Sequence, residues 1–141
     1  MISNEIIFFD IKIIVLSNNT IGGEFMISSN RLFLFWKIGE SVFKKQKSCE
    51  NVIKRVSCYL TYSFGMTETF SISNIKYMKK LYCCFPFYYK ELNNLSFEHY
   101  KLLVDINDIK KRYFYFRVAL FCQSSLNDFK NLLLNDLYNY I

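Results

Sequence analysis

The sequence predicts a mainly α fold: a compact multi-helix domain containing a helix-turn-helix-like pair, with a short β or irregular segment at its start. Three observations carry that prediction. From Ile27 onward, apolar residues recur at intervals of three and four, the spacing that gathers them on one side of a helix. Residues with capping side chains, Ser71, Ser96, Asp108 and Ser125, stand just before the apolar runs, where a side-chain oxygen can accept an unpaired backbone N–H. Chain breakers are scarce, with one Pro and four Gly in 141 residues. That is too few for a collagen, linker or turn-rich repeat architecture.

The first segment is the exception to the helical period. Ile6–Phe9 and Ile11–Leu16 are rich in β-branched residues, but Asp10 and Lys12 interrupt them and no charged leader precedes them. A strand fits this pattern better than a secretory signal. Ser17–Thr20 and Gly22–Gly23 then form a turn or linker. The boundaries that follow are an atypical segment over 1–26 and a helical domain over 27–141.

The helices follow in order. Leu32, Phe35, Trp36 and Ile38–Gly39 lie on one side of the first, with Lys37, Glu40 and Lys44 on the other. Lys44–Lys47 is expected to break it into a basic loop. Between Cys49 and Phe64, the residues Val52, Ile53, Val56, Leu60 and Phe64 form an apolar stripe that Lys54 and Arg55 avoid, and Gly65 ends the helix. Ser71 caps the next, whose apolar positions are Ile72, Ile75, Met78, Leu81, Tyr82 and Phe85. Lys76, Lys79 and Lys80 lie outside, and Pro86 stops it. Ser96 caps a helix to about Asp105, and Asn107 or Asp108 caps one to about Phe121. Ser125 caps the last, with Leu126, Phe129, Leu132, Leu133 and Leu137 inward. Tyr113–Phe116 looks strand-like locally, but its flanks favour a helix buried on more than one side.

Composition narrows the function classes. A chain that is 52% apolar and 21% charged is no disordered tail and can bury one real core. It is too short for a large two-domain enzyme. Mean hydropathy is +0.08, and no uncharged apolar run reaches the roughly 18 residues of a spanning helix, so no membrane partner is expected. Five cysteines, an odd number, occur without a C-x-x-C pair. That suits reduced, mostly buried thiols in a cytoplasmic protein. One His and an adjacent Cys83–Cys84 pair give poor zinc spacing, so no metal or other cofactor is expected.

The net charge of +6 is unevenly spread. Residues 1–30 carry −2, residues 31–80 carry +7 and residues 81–141 carry +1. A local basic excess permits a polyanionic partner. Aromatic residues make up 19% of the chain, beside a single Ala, Ala119. An A/T-rich coding bias explains that enrichment, so it is not by itself a base-stacking surface.

Several phrases, in order, resemble a known family. Phe35–Trp36–Lys37–Ile38–Gly39 is similar to "YW-x-IG", and Val52–Ile53, Val56–Ser57 and Leu60 to "VI-x-x-LS-x-x-L". Phe70–Ser71, Asn74–Ile75, Met78 and Leu81–Tyr82 are similar to "FS-x-x-NL-x-x-M-x-x-FY", followed by Phe85–Pro86. Leu95–Tyr100 resembles "LSW-x-H", Arg112–Tyr115 resembles "R-x-FY", and Ser125, Leu126, Asp128 and Phe129 resemble "WS-x-x-EL". These are phrases of the N-terminal domain of YhcG-type proteins, bacterial members of the PD-(D/E)XK nuclease superfamily. The resemblance covers about residues 27–141; residues 1–26 depart from it, and Phe97 and Ser124 replace tryptophans. It implies a helical, DNA-binding domain, with a metal-dependent nuclease domain following in the family. No E-x-K triplet of such a nuclease occurs, and Asp10-x-Lys12, Asp108-x-Lys110 and Asp128-x-Lys130 fit ordinary surface pairs. The expectation is therefore a module without a catalytic domain of its own. The alternatives are a docking module for a nuclease or restriction-type protein partner, or a truncated remnant.

The helix-turn-helix-like pair is the sharpest candidate site. A recognition helix offers its early residues to base edges, which would place Ser73, Asn74, Lys76 and Tyr77 at the groove, Asn74 reading adenine. Lys79 and Lys80 would meet phosphates, with Lys54 and Arg55 from the preceding helix. The plain alternative is a helical hairpin with solvated lysines, and Asn74 can instead bond the turn beside Ser71. Trp36, Gly39, Ser71, His99, Arg112 and Tyr115 are expected to hold the structure. His99 suits a buried, hydrogen-bonded role better than catalysis, because no nucleophile or metal set stands near it in sequence. Arg112 suits a clamp on Asp105 or Asp108 better than a phosphate contact. Trp36 and Tyr113–Phe116 belong to the core rather than to a single-strand stacking platform.

Overall fold

The computed structural model describes residues 31–46, 51–65, 67–123 and 125–140. Among them are six α-helices, two short 3₁₀ turns and no strand. The expected strand over 6–16 and the turn after it lie outside the described residues. Contacts divide the chain into two units, the first ending at Tyr88 and the second beginning at Tyr89.

The first unit contains α1 (Arg31–Gln46), α2 (Val52–Phe64) and α3 (Ile72–Cys84). Its core is built from Leu34, Ile38 and Val42 of α1, Val52, Val56 and Leu60 of α2, and Ile75, Met78 and Leu81 of α3, all buried. Each such side chain removed from water contributes about 1.5–3 kcal/mol. Helix α3 packs chiefly on α1, and Gly39 makes that possible. A Cβ placed on Gly39 would lie 1.9 Å from the Met78 carbonyl oxygen, so the two backbones touch. Glycine inside a helix costs about 1 kcal/mol of propensity, and here the close crossing offsets it.

Polar ties fix the edges of this packing. Trp36 Nε1 donates to the Phe85 carbonyl at 2.7 Å, and the indole meets Tyr82 edge-on at 5.4 Å. Ser57 Oγ donates to the Phe70 carbonyl at 2.6 Å in a buried setting, anchoring the turn that leads into α3. Gly65 ends α2 with φ 68° and donates to the Thr61 carbonyl, and Phe70 in the following turn is fully buried. Helix α1 runs on through Lys44 and Lys45 rather than breaking there. Lysine is a good helix former and is favoured at a C-terminus, and Lys44 reaches back one turn to Glu40 at 3.7 Å.

The second unit contains a 3₁₀ turn (Lys90–Asn94), α4 (Phe97–Val104), α5 (Ile109–Cys122), α6 (Leu126–Leu134) and a final 3₁₀ turn (Leu137–Tyr140). Ser96, Asp108 and Ser125 cap the three α-helices, each side chain accepting from a backbone N–H in the first turn. Tyr100, Leu103, Tyr115, Phe116, Ala119 and Phe129 are buried. The Tyr100 hydroxyl donates to the Leu92 carbonyl at 2.6 Å, tying the 3₁₀ turn to α4. The Tyr115 hydroxyl donates to Asp136 Oδ1 at 3.1 Å and accepts from the Tyr138 N–H at 3.2 Å. Lys111 Nζ lies 3.0 Å from the same carboxylate oxygen.

Three expectations need correction. Leu132 and Leu133 are only half-buried, and Leu137 is exposed. Helix α6 ends at Leu134 and Asp136 turns the chain with φ 48°, so the helical period does not continue to Leu137. Tyr113 is 56% exposed, because α5 buries the side bearing Tyr115, Phe116 and Ala119. Cys58, Cys83 and Cys122 are exposed rather than buried. Cys58, for instance, shares the solvent stripe of α2 with Arg55 and Tyr62.

Gly39→Ala is expected to destabilise the protein by about 3 kcal/mol or more, since neither rigid backbone can yield to the new methyl. Urea unfolding checks this, and an unchanged midpoint would show that the crossing is not close. Alkaline unfolding tests the second unit. The hydrogen bond to Asp136 raises the Lys111 ammonium above its ordinary 10.5. Burial first, and the bond to Asp136 after it, raises Tyr115 above 10.0. Both groups hold their protons more tightly when folded. Their contribution is complete at lower pH and is lost as pH rises through the folded values. Asp136→Asn tolerates the positive φ and removes the charge. Its stability should therefore fall less steeply above pH 10.0 than that of the unaltered chain, and equal slopes would contradict this.

Candidate nucleic-acid interface

The candidate pair consists of α2, a turn over 67–70 and α3. Its connection is longer than the 3–4 residues usual between such helices. The turn is held from within. Ser71 Oγ accepts from the Asn74 N–H at 3.2 Å. Asn74 Nδ2 donates to the Glu68 carbonyl at 2.9 Å and to the Thr69 carbonyl at 3.3 Å. Bidentate reading of adenine needs that amide donor free, and here it closes the turn. Arg31 reaches the same turn, donating to Thr69 Oγ1 at 3.1 Å.

With Ile75, Met78 and Leu81 turned inward, α3 presents Ser73, Lys76 and Lys80 to solvent. Tyr77 and Lys79 are half-buried at the margins of that face. The Lys80 ammonium sits 5.4 Å from the centre of the Tyr77 ring, so the two form one unit on the surface. Lys54 and Arg55 are exposed on α2. Between residues 51 and 88 the only acidic residue is Glu68, against five bases. Charge pairing differs accordingly. Lys37 and Lys44 meet Glu40, Lys101 meets Glu98 and Lys111 meets Asp136. Among the described residues, no carboxylate pairs with Lys54, Lys76 or Lys79.

A family model, described as the DUF1016 N-terminal domain, matches residues 24–140. The chain belongs to this family, the N-terminal domain of YhcG-type proteins. No curated protein and no solved structure matches it.

The remaining motif residues of this DUF1016 domain serve its second unit. His99 is 8% exposed; its Nδ1 lies 2.6 Å from Ser96 Oγ, and its ring packs on Phe129 at 5.6 Å. Among the described residues, Arg112 clamps no carboxylate, neither Asp105 nor Asp108. Its Nε donates to the Ile106 carbonyl at 3.0 Å, while Asp108 is occupied in capping α5, accepting from the Lys110 and Lys111 N–H groups at 2.9 and 3.2 Å. Among the described residues, no three His, Cys, Asp or Glu side chains converge as a metal site would, and no helix is long and apolar enough to cross a membrane.

Two residues that organise these units carry little sequence signal. Ser57 stands in one of the family phrases, but nothing in the sequence points to its bond with the Phe70 carbonyl. Asp136 collects Tyr115 and Lys111 from more than 20 residues away, and only its place after Asn135 hints at a turn.

Asn74→Ala removes the side-chain donors that close the turn and should cost about 1 kcal/mol. Thermal unfolding checks the loss. If instead stability were kept and DNA affinity alone fell, Asn74 would be a base reader.

Proposed function

We propose that this DUF1016 N-terminal domain is a DNA-binding module that itself carries no catalysis. The observation behind the proposal is the set of bases on α2 and α3: Lys54 and Lys76 are exposed, Lys79 is half-buried, and none of the three has a carboxylate partner among the described residues. An ammonium with no carboxylate partner breaks no ion pair when it meets a phosphate, and each contact made releases a condensed counterion. Lys76 and Lys80 stand one helical turn apart, with Ser73 on the same face. That arrangement suits a helix laid along a phosphate-lined groove. Phosphates are the main contacts on this reading, because Asn74 is spent on the turn. The non-catalytic part draws support from His99 and Asp108, the side chains best suited to acid–base work, since both are engaged in holding α4 and α5. In a YhcG-type setting, such a module would bring a nuclease or restriction-type protein to its DNA.

The test is a fluorescence-polarisation titration with random duplex DNA at two salt concentrations. Binding should weaken steeply with salt. Lys76→Glu combined with Lys80→Glu should weaken it at least about tenfold and lower the salt slope by about two. An unaltered affinity and slope in that variant, or no binding at low salt, would refute the proposal.

A further inference from the structure

We propose that the solvent face of α5 is a docking site for an acidic amphipathic helix of a partner protein. An amphipathic helix shows water its polar side, whereas α5 shows water a mixture of apolar and basic side chains. Its outward stripe runs Lys110, Tyr113, Arg117 and Phe121, with Ile109 and Leu120 beside it. Ile109 is 74% exposed and Phe121 91%. Contiguous exposed apolar surface of this kind marks an interaction site in a folded protein. All of these residues but Ile109, together with Phe114, Val118 and Cys122, line an open groove of about 700 Å³. The helix has 14 residues, about 21 Å at 1.5 Å per residue, long enough to receive several anchors spaced at i, i+3 or i+4 and i+7.

Charge selects the occupant. Helix α5 carries four bases and no acid. Two of the bases are committed within the unit: Lys111 to Asp136 and Arg112 to the Ile106 carbonyl. The other two, Lys110 and Arg117, stand exposed on the apolar stripe itself, Arg117 lying 5.9 Å from the Tyr113 ring centre. A second copy of α5 would set like charges against each other, which is destabilising across an interface. A nucleic acid strand would meet Ile109, Val118 and Leu120, aliphatic groups that burial rewards and base stacking does not. A helix with apolar anchors and flanking carboxylates satisfies both parts of the face.

The probe is a fluorescein-labelled peptide of about five helical turns, with Leu and Phe on one side and Glu on the other. Its control is a twin with Lys in place of each Glu. The acidic peptide should bind saturably to the full chain and the basic twin at least about tenfold more weakly. Phe121→Ser and Arg117→Glu should each weaken the acidic peptide about tenfold. Both positions are exposed, so the melting temperature should stay unchanged. Lys76→Glu with Lys80→Glu should leave peptide binding intact, which separates this face from the DNA-binding reading. Equal binding of the two peptides, or binding of neither, overturns the proposal. So does a sedimenting dimer that dissolves in Phe121→Ser, which assigns the face to a second copy. Loss of oligothymidine binding in that variant would assign it to nucleic acid and overturn it equally.

Discussion

The first unit depends on one close approach, the crossing of α1 and α3 at Gly39 and Met78. A backbone-to-backbone contact leaves no room for repacking. It fixes the distance between two helices and also the rotation of α3 about its own axis. With Met78 against α1, the inward side of α3 holds Ile75 and Leu81, and Ser73, Lys76 and Lys80 are turned to solvent. The basic face is thus a consequence of how tightly the opposite side is held. Trp36 and Ser57 secure the ends of the same arrangement, one on the Phe85 carbonyl where α3 stops and the other on the Phe70 carbonyl before it starts.

The second unit is organised by polar ties across short helices. An eight-residue helix such as α4 is too short to persist alone in water. Its cap at Ser96, the His99 ring against Phe129 and the Tyr100 hydroxyl on Leu92 place it within a small apolar core. Asp136 does similar work at the end of the unit, where one carboxylate meets both a buried tyrosine and a lysine from α5.

Helix positions were legible in the sequence because the signals for them are local. Ser71, Ser96, Asp108 and Ser125 cap where their residue type says they should, and Gly65 and Pro86 end what they should end. Burial was less legible. Tyr113 and Tyr115 are neighbours of one type in an aromatic run, and only the packing of α5 separates the exposed ring from the buried one. Arg112 could not be assigned its partner from sequence, since a backbone carbonyl leaves no trace in residue identity. Asn74 shows the same limit in the candidate site, because a groove reader and a turn closer are the same amino acid at the same position. The resemblance to YhcG-type proteins located the domain, and residues 24–140 match its family model. Which lysines lack carboxylate partners came only from three-dimensional placement.

Under the proposed function, the outward face of α3, with the exposed bases of α2, would receive the DNA backbone. Backbone amide NMR spectra, recorded while random duplex DNA is titrated into the protein, test it residue by residue. Progressive shifts are expected at Ser73, Lys76, Lys80, Lys54 and Arg55, while the amides of α5 stay in place. Shifts confined to the second unit, or none at any ratio of DNA to protein, would contradict it.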